Sequence, residues 1–147
     1  MAIIGAGALS TRRIYPYIGA AGGVLVGVCD LDKDKAKRNA RRFGGRTYDN
    51  FREMLNQESP EGVIICVGPE GHAELSPIVI RMGYPVYTEK PPAHSAEAAL
   101  AVARVASETG LLCTTAYKKR YALANNRAKA WIAGFDPGDL YSISIDY

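Results

Sequence analysis

A glycine-rich loop and a distant acidic residue are the first candidates for chemistry. The loop follows a short apolar run and reads Gly5, Ala6, Gly7, Ala8, Leu9, Ser10. Its first glycine permits a tight turn, and its second lets the backbone approach a pyrophosphate at the start of the next helix. Asp30 lies 20 residues beyond Ser10, close to the spacing of a carboxylate that accepts hydrogen bonds from ribose hydroxyls. The spacing predicts a dinucleotide site.

Two details of this site leave alternatives open. Ser10 stands where the pattern usually has glycine or alanine, although serine is small enough for close packing of helix against strand. Asp30 could instead cap the helix that starts near Lys33. A carboxylate that binds the ribose repels a 2′-phosphate, so NAD is favoured over NADP, while Lys33 and Lys35 leave room for NADP.

Two further loops follow apolar runs. The first contains Cys66, Val67, Gly68 and Pro69 and is followed by His72. Ligands of open α/β sheets bind outside the carboxyl ends of the strands, so this loop is expected to line the cofactor. For His72 by itself, a capping or packing role is favoured over a catalytic one.

The second loop reads Thr88, Glu89, Lys90, Pro91, Pro92. Pro91 restricts the backbone of Lys90, and an ammonium fixed there could stabilise a developing alkoxide or assist proton transfer. Without further context, a surface ion pair ahead of a helix explains the same residues.

The elements that must position these residues alternate along the chain. Nearly continuous apolar runs predict buried parallel strands at 2–4, 24–29, 62–67, 85–88 and 111–115. Helices are predicted at 33–43, with Ala36, Ala40 and Phe43 on one stripe, from the cap Ser95 to Gly110, and at 121–133. This order predicts an α/β fold with a doubly wound parallel sheet.

Composition excludes several classes of function. The net charge of +3 is too small to indicate nucleic acid binding, and no apolar run is long enough to span a membrane. The basic residues between 33 and 42 are expected to form a solvated helix face. The spacing of Cys29, Cys66 and Cys113 fits neither a disulfide framework nor a metal site, and with two histidines we expect no metal and a cytoplasmic location.

The last residues follow a different pattern. From 140 to 147 apolar and polar residues alternate, which predicts a strand with one solvated face and no partner in this chain. We expect a second, sheet-containing domain to follow. The division we predict is a dinucleotide-binding domain at 1–118, then a linking helix and the first strand of an α+β substrate domain at 119–147.

The chain resembles the Gfo/Idh/MocA family (glucose–fructose oxidoreductase and inositol dehydrogenase) in a set of motifs that occur in the same order. These are the glycine loop, Asp30, the Gly68–Pro69 loop with His72, the Glu89-Lys90-Pro91 sequence and the stretch from Tyr117 to Tyr121. The resemblance covers essentially the whole chain. It implies a Rossmann-type NAD(P)-binding domain and an oxidoreductase that acts on sugars, inositols or related polyols and keto compounds. Homo-oligomers would form only through the C-terminal domain.

The resemblance also implies roles for single residues. Lys90 is the catalytic-site lysine beside the nicotinamide and the reacting carbonyl, and Arg120 is the basic residue that faces cofactor or substrate. The implied cofactor-binding residues are Gly5, Ala6, Gly7, Ala8, Leu9, Ser10, Asp30, Leu31, Val67, Gly68, Pro69, His72, Glu89, Lys90 and Arg120. The aspartate and histidine of the family's substrate domain have no counterpart in this sequence.

Three functions remain open at this level. The leading one is hydride transfer, with this chain as the cofactor half of the site and inactive by itself. A non-enzymatic NAD(P)-binding sensor that regulates a partner protein would need the same loop, although Lys90 favours an enzyme. A free-standing nucleotide-binding module is the third.

Overall fold

A parallel sheet flanked by helices forms the larger part of the molecule. The computed structural model describes residues 1–136, 138, 142 and 144, and the chain forms two compact units, Met1–Ala116 and Tyr117–Tyr147. The strands are β1 Ala2–Ile4, β2 Gly27–Cys29, β3 Arg46–Tyr48, β4 Val63–Ile65, β5 Val86–Thr88 and β6 Cys113–Thr115. The helices are α1 Ala8–Arg13, α2 Tyr15–Ile18, α3 Lys33–Phe43, α4 Phe51–Glu58, α5 Pro69–Arg81, α6 Ala96–Thr109 and α7 Leu123–Ile132, with a 3-10 helix at Lys118–Tyr121.

The strand order is β3-β2-β1-β4-β5-β6, and every neighbouring pair is parallel. The order reverses between β1 and β4, which creates the crevice where ligands of such sheets bind. The predicted α/β doubly wound sheet of Rossmann type is confirmed.

The core lies on both faces of this sheet because successive strand residues point to opposite sides. Ile3 and Val28 pack with residues of α2 and α3, including Tyr15 and Ala36. Ala2, Ile4, Val63 and Ile65 pack on the other face with side chains of α4, α5 and α6. Burial on both faces explains the continuous apolar runs of β1 and β4.

Two predicted helices are confirmed with their ends. Helix α3 spans 33–43 as predicted, with Ala36 buried and Ala40 and Phe43 packed against the core. The side chain of Ser95 caps α6 through the Ala98 N–H at 3.2 Å, and Gly110 ends that helix in the left-handed region.

Sequence reasoning missed β3 and α4. Strand β3 is the edge strand beside β2 and consists of Arg46, Thr47 and Tyr48, so it lacks the apolar run that marks a central strand. Helix α4 is short and is capped by the Asn50 side chain. The four later strands that were predicted are shorter than their apolar runs, because pairing ends before the flanking loops turn away.

The second unit contains the 3-10 helix and α7. The helix predicted at 121–133 is observed as Leu123–Ile132. The strand predicted at 140–147 lies outside the described residues apart from 142 and 144, and the division into domains at 118 remains a prediction. Within the part of the chain that the structure describes, no helix has the length and apolarity needed to cross a membrane.

Candidate functional site

Gly5 begins the loop at the end of β1 and is required by the fold. Its φ is +108°, and a Cβ there would lie 2.1 Å from the carbonyl oxygen of Cys66 at the end of β4. Its N–H donates to the carbonyl oxygen of Cys29 at 2.8 Å. The loop therefore crosses between β2 and β4 at the topological switch point, where only glycine fits.

Gly7 is different, because neither packing nor backbone conformation requires a glycine there. It has the ordinary φ of −74°, and an added Cβ would meet no described protein atom within 4 Å. It directly precedes α1, whose first N–H groups have no partner within the helix. A glycine with open space beside it at this point fits a backbone that a phosphate group approaches.

Buried side chains fix the carbonyl groups of this loop. The hydroxyls of Ser10 and Tyr15 donate to the carbonyl oxygen of Gly5 at 3.0 and 3.2 Å. The Thr11 hydroxyl donates to Gly7 at 2.7 Å, and the Asn39 amide of α3 donates to Ala6 at 3.3 Å. With its carbonyls bonded to these side chains the loop is preorganised, and the N–H groups that remain for a ligand are those at the start of α1.

Asp30 joins the loop to β2. One carboxylate oxygen accepts the N–H of Ala6 at 2.7 Å, and the other accepts the N–H of Asp32 at 2.9 Å. The alternative that Asp30 caps the following helix is wrong, because the cap of α3 is Asp32, whose side chain accepts from Asp34 and Lys35. A carboxylate has about four acceptor positions, so Asp30 keeps capacity for ribose hydroxyls.

A basic cavity of about 490 Å³ adjoins the loop between α1 and α3. It contains four cationic side chains and no acidic one, and its lining is Ala6, Gly7, Ala8, Thr11, Arg12, Lys35, Arg38, Asn39 and Arg42. The Oδ1 atom of Asn39 is buried and has no hydrogen-bond partner among the described residues. The four cationic groups fit a ligand that carries phosphate groups.

The other half of the site lies at the ends of β4 and β5. His72, in the first turn of α5, is only 1% exposed. Its Nε2 lies 3.2 Å from the N–H nitrogen of Val67, and its Nδ1 lies 2.8 Å from the carbonyl oxygen of Pro91. The imidazole therefore joins the loop after β4 to the loop after β5.

Lys90 is exposed at the end of β5. Its N–H donates to Oε2 of Glu89 at 3.0 Å, and the N–H of Glu89 donates to the carbonyl oxygen of Ile65 at 3.1 Å. Within the described chain its ammonium forms no ion pair, so Glu89 contacts the backbone of Lys90 and not its charge. The alternative of a surface ion pair is not observed.

Two thiols lie at the carboxyl edge of the sheet. Burial, reinforced by the charges of Asp30 and Asp49, raises the pKa of Cys29 to about 12. Burial and the charge of Glu89 raise the pKa of Cys66 to about 11, against a hydrogen bond from Ser10 that lowers it. Both therefore stay protonated at neutral pH.

The remaining residues that were predicted to bind the cofactor lie partly beside the loops of the sheet edge and partly in the second unit. Ala8, Leu9, Val67 and Gly68 are exposed beside the loops, and Leu31 is 94% exposed. Arg120 belongs to the second unit, where its N–H donates to Tyr117 within the 3-10 helix, and its role stays a prediction. Among the described residues, no three histidine, cysteine, aspartate or glutamate side chains form a group that could hold a metal ion.

Sequence reasoning missed Tyr15 and Asn39. Tyr15 follows the loop without any spacing rule and could not be identified before the fold was known. Asn39 gave a weak signal, because it is a polar residue adjacent to the stripe formed by Ala36, Ala40 and Phe43 on the inner side of α3.

Comparison with known proteins gives the same picture. The family model described as an oxidoreductase family with an NAD-binding Rossmann fold matches residues 1–117. Glucose-6-phosphate 3-dehydrogenase of Bacillus subtilis is 26% identical over 145 residues, 99% of this chain and 41% of the relative. Inositol 2-dehydrogenase of Rubrobacter xylanophilus is 33% identical over 101 residues, 68% of this chain and 29% of the relative.

Solved structures agree at the level of the fold. A 3-ketoreductase from Actinomadura kijaniata, solved with NADP, matches with a TM-score of 0.82 and 24% identity over 90% of this chain and 42% of the other. An oxidoreductase from Agrobacterium radiobacter, solved with NAD⁺, L-tartaric acid and magnesium, matches with a TM-score of 0.81 and 21% identity over 90% and 39%. The chain thus spans less than half the length of these proteins.

Proposed function

The chain belongs to the Gfo/Idh/MocA oxidoreductase family, and we propose that it is the cofactor-binding part of a dehydrogenase that transfers a hydride to or from a sugar, inositol or related polyol or keto compound. The observation that carries this proposal is the preorganised loop at 5–10, with Gly7 open to the outside, at the same sheet edge as Lys90. Relatives named as sugar and inositol dehydrogenases support the substrate class.

The residues of the loop and of β2 would bind the nucleotide. The N–H groups at the start of α1 would meet the pyrophosphate, and the free acceptor positions of Asp30 would take the ribose hydroxyls. Leu31, Val67, Gly68 and Pro69 would border the cofactor. We propose NAD as the preferred cofactor because the Asp30 carboxylate repels a 2′-phosphate.

The residues after β5 would act on the substrate. When bound, the nicotinamide supplies or accepts the hydride. The ammonium of Lys90 would stabilise negative charge on the substrate oxygen or hold the proton that this oxygen gains or loses. Glu89 orients the backbone of Lys90, and Arg120 would face cofactor or substrate.

The rest of the active site would come from a following domain. The chain spans 41% of the first relative, so substrate recognition and assembly into homo-oligomers are assigned to residues outside it. The free thiols of Cys29, Cys66 and Cys113 fit the reducing conditions of the cytoplasm, the location we propose.

Calorimetric titration with NAD and NADP tests the cofactor. We expect NAD to bind at least about tenfold more tightly, which corresponds to roughly 1.4 kcal/mol. The cationic side chains of the basic cavity, Lys35 among them, would favour NADP, so Arg38→Gln is titrated in parallel, with Lys37→Gln as a control outside that cavity. Tighter binding of NADP than of NAD by the unmodified protein would contradict the NAD assignment.

Turnover of the full-length protein tests the reaction. Lys90→Met is expected to leave NAD affinity within about threefold and to lower kcat by about 100-fold or more, as expected when a proton-transfer group is removed. Lys37→Met, which removes an exposed lysine of α3, is the control. Unchanged kcat in Lys90→Met would refute the catalytic role, and cofactor binding without oxidation of any sugar or polyol in a broad panel would favour a sensor.

A further inference from the structure

The buried imidazole of His72 forms hydrogen bonds to both loops of the lysine side of the site. Val67 follows β4, Pro91 follows β5, and the two are bridged at 3.2 and 2.8 Å by the two ring nitrogens. We call this arrangement, the Val67 N–H, the His72 ring and the Pro91 carbonyl, the His72 bridge.

The chemistry of the two partners fixes the form of the ring. A carbonyl oxygen can only accept, so Nδ1 must carry the hydrogen, and a backbone N–H can only donate, so Nε2 must be unprotonated. The neutral Nδ1–H tautomer satisfies both bonds, while the other tautomer satisfies neither. With both nitrogens bonded and the ring buried, His72 has no free atom for substrate.

The residue itself is held in place. Its N–H donates to the carbonyl oxygen of Gly68 at 2.9 Å, and its own carbonyl accepts the hydroxyl of Ser76 at 2.6 Å. The ring is therefore attached to a rigid helix turn, while both of its partners belong to loops. Loss of either ring bond should therefore free a loop and leave the helix turn in place.

Lys90 lies between two such attachments. On its N-terminal side Glu89 is bonded to Ile65 of β4 and to the Lys90 N–H, and on its C-terminal side Pro91 is bonded to His72. Proline has no N–H of its own, so its carbonyl is its one backbone group available for hydrogen bonding. We propose that His72 is a positioning residue that sets the location of Lys90 through Pro91 and the location of the cofactor-side loop through Val67; this rests on the proposed role of Lys90.

Two substitutions separate the two bonds. Asparagine carries its amide at the position of Nδ1, so His72→Asn keeps a donor for Pro91 and loses the acceptor for Val67. Glutamine carries its amide one atom further, at the position of Nε2, so His72→Gln keeps an acceptor for Val67 and loses the donor for Pro91. The same pair at the exposed His94 is the matched control.

In the full-length protein we expect kcat to depend on the hydrogen bond between His72 and the Pro91 carbonyl. His72→Gln should lower kcat about 10- to 100-fold, because a catalytic group displaced by about 1 Å loses that much. His72→Asn, which loses the bond to the cofactor-side loop, should instead raise the KM for NAD about fivefold and lower kcat much less than His72→Gln does, and the His94 variants should change neither. Equal losses of kcat in both His72 variants would indicate a structural role only and would overturn the proposal.

A readout without activity separates this proposal from the proposed function. In the 147-residue chain with ¹³C-methylated lysines, the Lys90 resonance should shift in His72→Gln and stay in place in His72→Asn. If it does so while the full-length protein oxidises nothing, the positioning stands and the proposed reaction fails. An unmoved Lys90 resonance in His72→Gln overturns the positioning whatever the activity.

The unmodified chain provides a test that no folding defect can obscure. A ¹⁵N-detected spectrum should show His72 as the neutral Nδ1–H tautomer, with a ring proton protected from exchange. An Nε2–H tautomer, or a ring proton that exchanges as fast as that of His94, would overturn the bridge.

Discussion

The two halves of the sheet edge are built by different means. In the glycine-loop half, five side chains bind the backbone of residues 5–7, namely Ser10, Thr11, Tyr15, Asp30 and Asn39. In the lysine half, a single imidazole joins the loops that contain Val67 and Pro91. The first half is held by several side chains, whereas the second is held by the His72 imidazole and the bonds of Glu89 to Ile65 and Lys90. Removal of a single side chain should therefore affect the second half more.

The largest effect is expected within the glycine loop itself, because redundancy of side chains cannot compensate for a clash of the backbone. Gly5→Ala should destabilise the fold by roughly 3 to 5 kcal/mol, the sum of strain at positive φ and overpacking against Cys66. Urea unfolding measures this change.

Gly7→Ala is the matched control for that substitution. The added Cβ meets no described atom within 4 Å, so the free energy of unfolding should change by less than about 1 kcal/mol while the affinity for NAD falls. Equal destabilisation by the two variants would show that the loop as a whole is structural and that Gly7 has no separate role.

Asp30→Asn comes next in size. Asparagine keeps one acceptor and turns an amide N–H₂ toward the N–H of Ala6 or Asp32, which leaves a donor unsatisfied at a cost of about 1 to 3 kcal/mol. Thermal unfolding should show this loss, and Asp34→Asn on the same segment should not. Stability equal to the unmodified protein would mean that Asp30 serves the ligand only.

The hydroxyl of Tyr15 tests redundancy directly. Tyr15→Phe removes one of two donors to Gly5, so it should cost only about 1 kcal/mol and leave NAD affinity within threefold. Ser10→Ala should behave alike, and the double variant should cost more than the sum of the two. If the stability losses of the two single variants simply add, neither hydroxyl substitutes for the other, and the glycine loop is not held redundantly.

The sequence predicts the parts of the site that local backbone geometry determines and misses the parts that depend on tertiary packing. Backbone geometry fixes the sequence spacing between the glycines of the loop at 5–10 and the carboxylate after β2. The loop and Asp30 can therefore be identified from the sequence. The partners Tyr15 and Asn39, and the bond between His72 and Pro91, depend on which helix packs beside which loop. That information is absent from any local pattern, and β3 was missed because an edge strand needs no apolar run.

The smallest effect at neutral pH is that of the thiols at the ends of β2 and β4, because they change the stability only at high pH. The folded pKa of Cys29 is about 12 and that of Cys66 about 11, both raised above the ordinary value of 9.0. A raised folded pKa means that stability is complete below pH 9 and is lost as the pH rises, since the unfolded thiol ionises first. For the buried Cys29 the loss should reach about 1.4 kcal/mol at pH 10. The free energy of unfolding, measured with urea at pH 7.5, 9 and 10, should therefore fall less steeply with pH in Cys29→Ala than in the unmodified protein. Cys66→Ala should give a similar change at pH 10, because both thiols ionise near pH 9 when unfolded and above pH 10 when folded. Burial is the main cause of both raised pKa values, and the charges of Asp30 and Asp49 at Cys29 and of Glu89 at Cys66 add to it, so identical profiles for all three proteins would show that the folded environment does not raise the pKa of either thiol.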